Sequence, residues 1–276
     1  MRVSEAIREA AARLAPTSDT ARLDAEVLMA HALGVSRSDL LLRHMASDAP
    51  ASFADLVERR TGHEPVAYIT SRQEFYGLPI QVTRDVLIPR GDSEVLVDRA
   101  IHAKPEAARV LDCGTGSGAL LLSVLAHLPQ AKGIGIDRSQ AALAIATANA
   151  AALGLDDRTR MLVADWSRPG WSEALGRFDL VLANPPYVEV AAELAPSVRA
   201  FEPAGALFAG PDGLDDYRLL IPQLPDLLAP NGTALLEIGA TQGDAVGSIA
   251  QQNGFACTLH QDLAGRARVV ELTLHR

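Results

Sequence analysis

The run VLDCGTGSG, Val110–Gly118, passes from an apolar, buried-type strand through a loop with glycine at every second position into a helix beginning near Ala119. Glycine at 114, 116 and 118 permits tight turning and close ligand approach, and the loop amides can meet an anionic group. Downstream, strand and helix signals alternate. The strand-like runs are Arg109–Cys113, Gly133–Asp137, Arg160–Ala164, Asp179–Ala183, Thr233–Ile238, Phe255–Leu259 and Arg268–Leu274. Helical runs fall at Ala119–Leu128, Ser139–Ala152, Tyr217–Leu228 and Asp244–Gln252. This alternation predicts a parallel sheet covered by helices: an α/β, Rossmann-like fold of seven strands. Only His260 to Ala267 separate the last two strands, too few residues for a crossover helix, so those two are expected to pair antiparallel.

Upstream the pattern differs. From Val3 to about Arg60 apolar residues recur at three and four: Ile7, Ala10, Ala11 and Leu14, then Leu23, Val27 and Leu28, then Leu40 to Leu42, then Phe53, Leu56 and Val57. Ser18-Asp19, Ser36 and Pro50 with Ser52 mark the breaks as helix starts. Between Glu64 and Pro89, Val66, Tyr68, Phe75, Tyr76, Ile80 and Val82 lie among Gly and Pro, as short strands and turns would. Helix resumes from Ser93 to Ile101. The expected organisation is a small N-terminal helical-bundle domain over 1–73, a short β-hairpin-like connector over 74–92 and the α/β domain over 93–276.

Composition narrows the class. The chain has 276 residues, 48% of them apolar, which excludes a disordered or fibrous protein. Ala119–Leu128 is too short and too polar to span a bilayer, and MRVSEAIREAAARL has no signal-peptide core, so no membrane association is expected. Two cysteines, Cys113 and Cys257, give no framework of bridges and point to a reducing, cytoplasmic setting. Lys and Arg number 25 against 34 Asp and Glu, a net charge of −9. Residues 1–75 carry 9 basic and 11 acidic side chains and the remainder 16 and 23, so neither part offers the basic surface of a protein that binds nucleic acid directly. The seven histidines show no metal-ligand spacing, and no metal is expected.

The spacing GxGxG, with Ala119 where a dinucleotide loop places glycine, marks a nucleotide-type cofactor loop of modest specificity. Asp137 ends the second strand, 25 residues after Asp112, where a carboxylate can accept ribose hydroxyls in either a nicotinamide or an adenosylmethionine site. Asp165 and Trp166 follow the third strand and suit an adenine. Asp112 is placed to organise the loop through the Gly116–Gly118 amides. The fourth strand separates the possibilities. FDLVLANPPY, Phe178–Tyr187, sets Asn184 at a strand's carboxyl end, where open sheets bind ligands. Pro185 and Pro186 lack backbone donors and have fixed φ, leaving the Asn184 side-chain oxygen and the Pro185 carbonyl as rigid acceptors. A planar NH₂ group, with two donors, fits that pair, and Tyr187 can lie against its flat face. A delocalised amide nitrogen is a poor nucleophile; pinning it beside an activated methyl leaves alignment and electrostatics to do the rest.

On these residues the chain resembles the PrmC/HemK family of peptide-chain-release-factor glutamine-N5 methyltransferases. The likeness runs through GHEPVAYI (62–69), EFYGLPIQV (74–82), VLIPR (86–90), DCGTGSG (112–118), NPPY (184–187), EPAGALFAGPDGLDDYR (202–218), LLEIGATQG (235–243) and DLAGRARVV (262–270). It implies a class I methyltransferase sheet and S-adenosyl-L-methionine held by Asp112, Gly114, Thr115, Gly116, Gly118, Asp137, Asp165, Trp166 and Asn184. It implies that Asn184, Pro185 and Tyr187 act on the glutamine of a Gly-Gly-Gln tripeptide in a class I release factor. Asn184, Pro185, Pro186, Tyr187, Arg90, Phe75 and Glu202 would contact that substrate, with the enzyme a monomer. The family usually reads IPRPETE where this chain has IPRGDSE (Ile88–Glu94), Leu at Cys113 and Ile at Val188. NPPY alone is shared with adenine-N6 methyltransferases, which stand as the alternative. A dehydrogenase lacks its third glycine and a proton relay here, and a non-catalytic ribosome-binding module would have no use for Asn184.

Overall fold

The first helix, α1 (Val3–Leu14), buries Val3, Ala6, Ile7, Ala10 and Leu14, the i, i+3, i+4, i+7 stripe of an amphipathic helix. The computed structural model describes residues 1–275. α2 (Ala21–Leu33) stops at Gly34, which takes the left-handed conformation. α3 (Arg37–Asp39) is capped by the Ser36 hydroxyl, which accepts from the Asp39 amide at 3.0 Å, and widens into a π-turn over Leu40–His44. α4 (Phe53–Thr61) and α5 (Val66–Thr70) follow. Ile7, Leu14, Leu28, Met29, Leu40, Phe53, Val57 and Ile69 form one small core. The compact unit comprises Met1–Arg72 with Leu194–Phe201, the latter including a short helix over Pro196–Phe201. One sequence reading is corrected here: Val66 and Tyr68 are helical, not extended. The Pro65 carbonyl accepts from the Tyr68 and Ile69 amides, so the apparent alternation closes a helical turn.

The second unit comprises Gln73–Glu193 and Glu202–Arg276. β1 (Arg72–Phe75) and β2 (Leu78–Gln81) form a hairpin turned by Tyr76 and Gly77, both at positive φ. A 3₁₀ turn, Gly91–Ser93, leads into α6 (Glu94–Ala103). The main sheet then builds as β3 (Arg109–Cys113), α7 (Ala119–His127), β4 (Lys132–Asp137), α8 (Gln140–Ala152), β5 (Thr159–Val163) and β6 (Phe178–Ala183). After α9 (Pro196–Phe201), the sequence continues with α10 (Asp215–Leu220), α11 (Leu224–Leu227), β7 (Leu228–Glu237), α12 (Gly243–Gln252), β8 (Phe255–Gln261) and β9 (Ala267–Leu274). Strand order is β5-β4-β3-β6-β7-β9-β8. The first five are mutually parallel; β9 runs antiparallel to β7 and to β8, as the short last connection requires.

Two elements depart from the sequence reading, each for a local reason. The single helix expected over Tyr217–Leu228 is broken into α10, a 3₁₀ turn and α11, because Pro222 and Pro225 remove backbone donors inside it. β7 begins at Leu228, five residues early. Its pairing with β6 shifts between Phe178 and Leu180, and the Ala229–Gly232 excursion, with Asn231 at φ 63°, is absorbed as an irregularity within the strand. No described helix is long and apolar enough to cross a membrane.

The register places the chemistry. Cys113 pairs with Ile136 on one side and Ala183 on the other, and Ala183 pairs with Leu236. The next residues along, Asp137, Gly114, Asn184 and Glu237, therefore stand side by side at the carboxyl edge. The chain direction of sheet growth reverses between β3 and β6, the point where open α/β sheets bind ligands.

Candidate active site

The loop after β3 turns back over β4: the Gly114 and Thr115 amides both donate to the Ile136 carbonyl, at 2.9 and 2.8 Å. Gly114, at φ +75°, faces Trp166 so closely that a Cβ there would lie 3.0 Å from the indole ring. Gly118, at φ +82°, starts α7, and a Cβ there would lie 3.1 Å from Leu122. Both positions thus need glycine for conformation and for space.

A cleft of about 410 Å³ opens over this edge. Its walls take Gly114, Thr115, Gly116, Asp137, Asp165, Trp166, Asn184, Pro186 and Phe75, nine of the residues singled out from sequence, from five separate segments. Asp137 is fixed at both oxygens: Oδ2 accepts from the Gly116 amide at 3.0 Å and Oδ1 from the Ser139 amide at 2.8 Å. Each oxygen retains a lone pair for a further donor. Asp165 accepts from the Ser167 hydroxyl and amide, which hold its carboxyl below the usual range, with Arg138 and Arg168 adding to the effect. Asn184 is half-buried, and its amide has no protein partner among the described residues.

Other expected residues lie off the cleft wall. Asp112 is fully buried beneath the loop. It does not take the Gly116–Gly118 amides: Gly116 donates to Asp137, Gly118 to the Thr115 carbonyl, and Asp112 Oδ2 accepts from the Thr115 hydroxyl at 2.7 Å. Burial pushes its carboxyl up to about 7, and its Oδ1 has no partner. Gly118 is buried at the start of α7. Tyr187 turns toward the sheet: its hydroxyl donates to Glu237 Oε1 at 3.2 Å and its ring packs on the main core, since a buried phenol needs an acceptor. Burial raises the Tyr187 hydroxyl well above its usual range, and Glu237 reinforces the shift. Glu237 is raised too, by burial against the opposing effect of Ser93 and Arg268. Arg90 is committed to Glu202 at 2.7 Å, and Glu202 also accepts from the Ile88 amide, fastening the VLIPR segment to the turn after α9. Burial raises the Glu202 carboxyl despite Arg90. Pro185 is buried, between Asn184 and Pro186, which both line the cleft.

Several positions escaped sequence reasoning. Asn149 on α8 grips the hairpin edge and the glycine loop together, accepting from the Gln81 amide at 2.8 Å and donating to the Gln81 and Ser117 carbonyls. Gln242 donates to the Tyr187 and Gly213 carbonyls and so braces the turn after β6. Asp216 lines the cleft and accepts from the Trp166 indole N–H. None of these carries a local motif; each acts across dozens of residues.

The fit of an adenosine-bearing cofactor is favourable on these observations: a loop whose three glycines all take positive φ, with Gly114 close against an indole wall, and two carboxylates fixed at successive strand ends. The donor set contains no group of three His, Cys, Asp or Glu side chains suited to a metal among the described residues.

Comparison with known proteins follows the same segments. A family model described as PrmC N-terminal domain matches residues 5–70, and one described as Methyltransferase domain matches residues 104–253. The release factor glutamine methyltransferase of Cereibacter sphaeroides is 42% identical over 281 residues, covering 99% of each chain. That of Caulobacter vibrioides is 42% identical over 260 residues, 91% of this chain and 89% of its own. Among solved structures, the hMettl16 catalytic domain, in complex with the MAT2A 3′UTR hairpin 6, is 15% identical with a TM-score of 0.58, over 80% of this chain and 83% of that one. The last likeness speaks for the fold alone.

Proposed function

The chain belongs to the family of release factor glutamine methyltransferases, and from that premise we propose that it transfers a methyl group from S-adenosyl-L-methionine to the side-chain amide nitrogen, N5, of the glutamine in the Gly-Gly-Gln motif of class I peptide chain release factors. The observation that carries the reading is Asn184: an amide without a protein partner, at the end of β6, beside the glycine loop that ends β3.

The residues divide the work. The Gly114–Gly118 loop and Asp137 would hold the cofactor's amino-acid and ribose parts, with Asp165 and Trp166 around the adenine. When bound, that cofactor supplies an electrophilic methyl on a sulfonium. The Asn184 side-chain oxygen and the Pro185 carbonyl accept the two N–H bonds of the incoming carboxamide and fix its nitrogen, so that little reorganisation remains at the moment of transfer. Pro185 and Pro186 keep those acceptors rigid because their φ angles cannot relax. Tyr187 serves the loop from below, tied to Glu237, while Phe75 and Pro186 give the cleft an apolar wall that excludes water from the acceptor. No strong base is needed: once the nitrogen has gained a methyl, its extra proton is acidic enough to leave to solvent. Arg90 and Glu202 contribute by holding the VLIPR segment at the cleft rather than by touching the reacting atoms.

Asn184→Ala tests the assignment. Removing the acceptor oxygen is expected to lower the transfer rate by about a hundredfold or more, in line with the loss of a preorganised polar group at a reacting centre. Calorimetric affinity for the cofactor should stay within a few-fold. Equal losses of affinity and rate would assign Asn184 to the cofactor and not to the acceptor.

A further inference from the structure

Trp166 stands in the irregular segment between β5 and β6, yet its indole forms the wall opposite Gly114. A side chain so placed needs external anchors, and both come from the same stretch of chain. Asp216 on α10 accepts from the indole Nε1–H at 2.9 Å, and Gln223, in the turn that follows, donates to the Trp166 carbonyl at 3.1 Å. The chain's other tryptophan provides an internal comparison: Trp171 donates its indole N–H to the neutral Gln223 Oε1 at 2.6 Å. An amide therefore suffices to satisfy an indole here. A carboxylate at 216 is the more expensive choice, since it is partly buried, raised by that burial, and faces Asp165 as well as Arg138. It is also the stronger acceptor, since a hydrogen bond to an ionised group is roughly twice as strong as a neutral one. Asp216 itself lies on the cleft wall, and no protein donor takes its Oδ2 among the described residues.

We infer that Asp216 is a positioning residue for the adenosine end of the cleft, acting through Trp166: it sets the indole against the glycine loop so that the pocket is formed before the cofactor arrives. The inference rests on the reading of this cleft as an S-adenosyl-L-methionine site. Preorganisation of this kind adds affinity for whatever carries the adenosine, before and after methyl transfer alike, and leaves recognition of the protein acceptor untouched.

The test is calorimetric titration of the full chain with S-adenosyl-L-homocysteine, which cannot react. Asp216→Ala is expected to weaken binding about tenfold, the loss of one hydrogen bond to a charged group. Asp216→Asn, which keeps an oxygen acceptor, should recover to within about threefold of the parent. Trp166→Phe keeps a ring and removes the donor, so it reads the same bond from the other side should Asp216→Ala not fold. Adding Asp216→Ala in the Trp166→Phe background should cause no further loss, the signature of two residues acting as one unit. The KM for the protein acceptor should not change in any of them. Unchanged binding in either Asp216→Ala or Trp166→Phe would overturn the inference, as would an Asp216→Ala loss of the same size with and without Trp166. Failure of the parent chain itself to bind the probe would overturn the cofactor reading and this inference with it.

Discussion

Asp112 shows how one residue's burial reaches the molecule's behaviour. Its carboxyl titrates near 3.8 in an exposed setting and is pushed up to about 7 by desolvation beneath the glycine loop, with Asp137 adding to the rise. Between those values the folded chain holds a proton that the unfolded chain has lost. This group's contribution to stability is therefore greatest below about pH 3.8 and declines as pH rises to about 7. Asp112→Asn keeps an acceptor for the Thr115 hydroxyl and cannot titrate. It should flatten the fall in thermal midpoint between those two pH values, relative to the parent; an identical slope would mean that Asp112 is ionised in the folded state. At this scale the sequence was informative where chemistry is local. Gly114 and Gly116, Asp137, Asp165 with Trp166, and Asn184 sit in short motifs at strand ends, and the register brings them to one cleft. It was silent where a side chain's partner is remote: nothing near Tyr187 in the chain announces that its hydroxyl belongs to Glu237, fifty residues on.

Among elements, β4 is the one whose packing bears most directly on the cleft. Gly133 and Gly135 let α7 and the glycine loop approach its face; a Cβ at Gly135 would lie 2.7 Å from Met161 Sδ and 2.9 Å from the Thr115 hydroxyl. The Met161 end can shift, but Thr115 is buried and bonded to Asp112. Gly135→Ala is expected to destabilise the chain by about 1–3 kcal/mol through overpacking, measured by denaturant unfolding. A neutral effect would show that the loop is free to move away from β4. Element type was readable wherever hydrophobic period and length agreed, as in β3, α7 and α8. It failed where a short apolar segment suits either state: Val66–Thr70 alternates well enough to pass for a strand until the preceding proline carbonyl caps a turn. Boundaries slipped where turn chemistry was absorbed into a longer element, as at the Ala229–Gly232 excursion of β7.

For the whole molecule, a net charge of −9 disfavours a phosphate backbone as the acceptor and leaves a protein acceptor the better match. NPPY by itself leaves the adenine-N6 alternative open, so charge and the N-terminal segment matched at residues 5–70, more than the cleft itself, separate the two substrates. The central claim is that a rigid pair of acceptors presents a protein carboxamide to the methyl donor. Its most direct test is peptide mass mapping of class I release factors after incubation with the chain and S-adenosyl-L-methionine. The account expects one added methyl, on the side-chain amide of the glutamine in Gly-Gly-Gln, accumulating about a hundredfold or more slowly when Asn184→Ala replaces the parent. Methyl incorporation into RNA or DNA with the release factors left unmodified would contradict it.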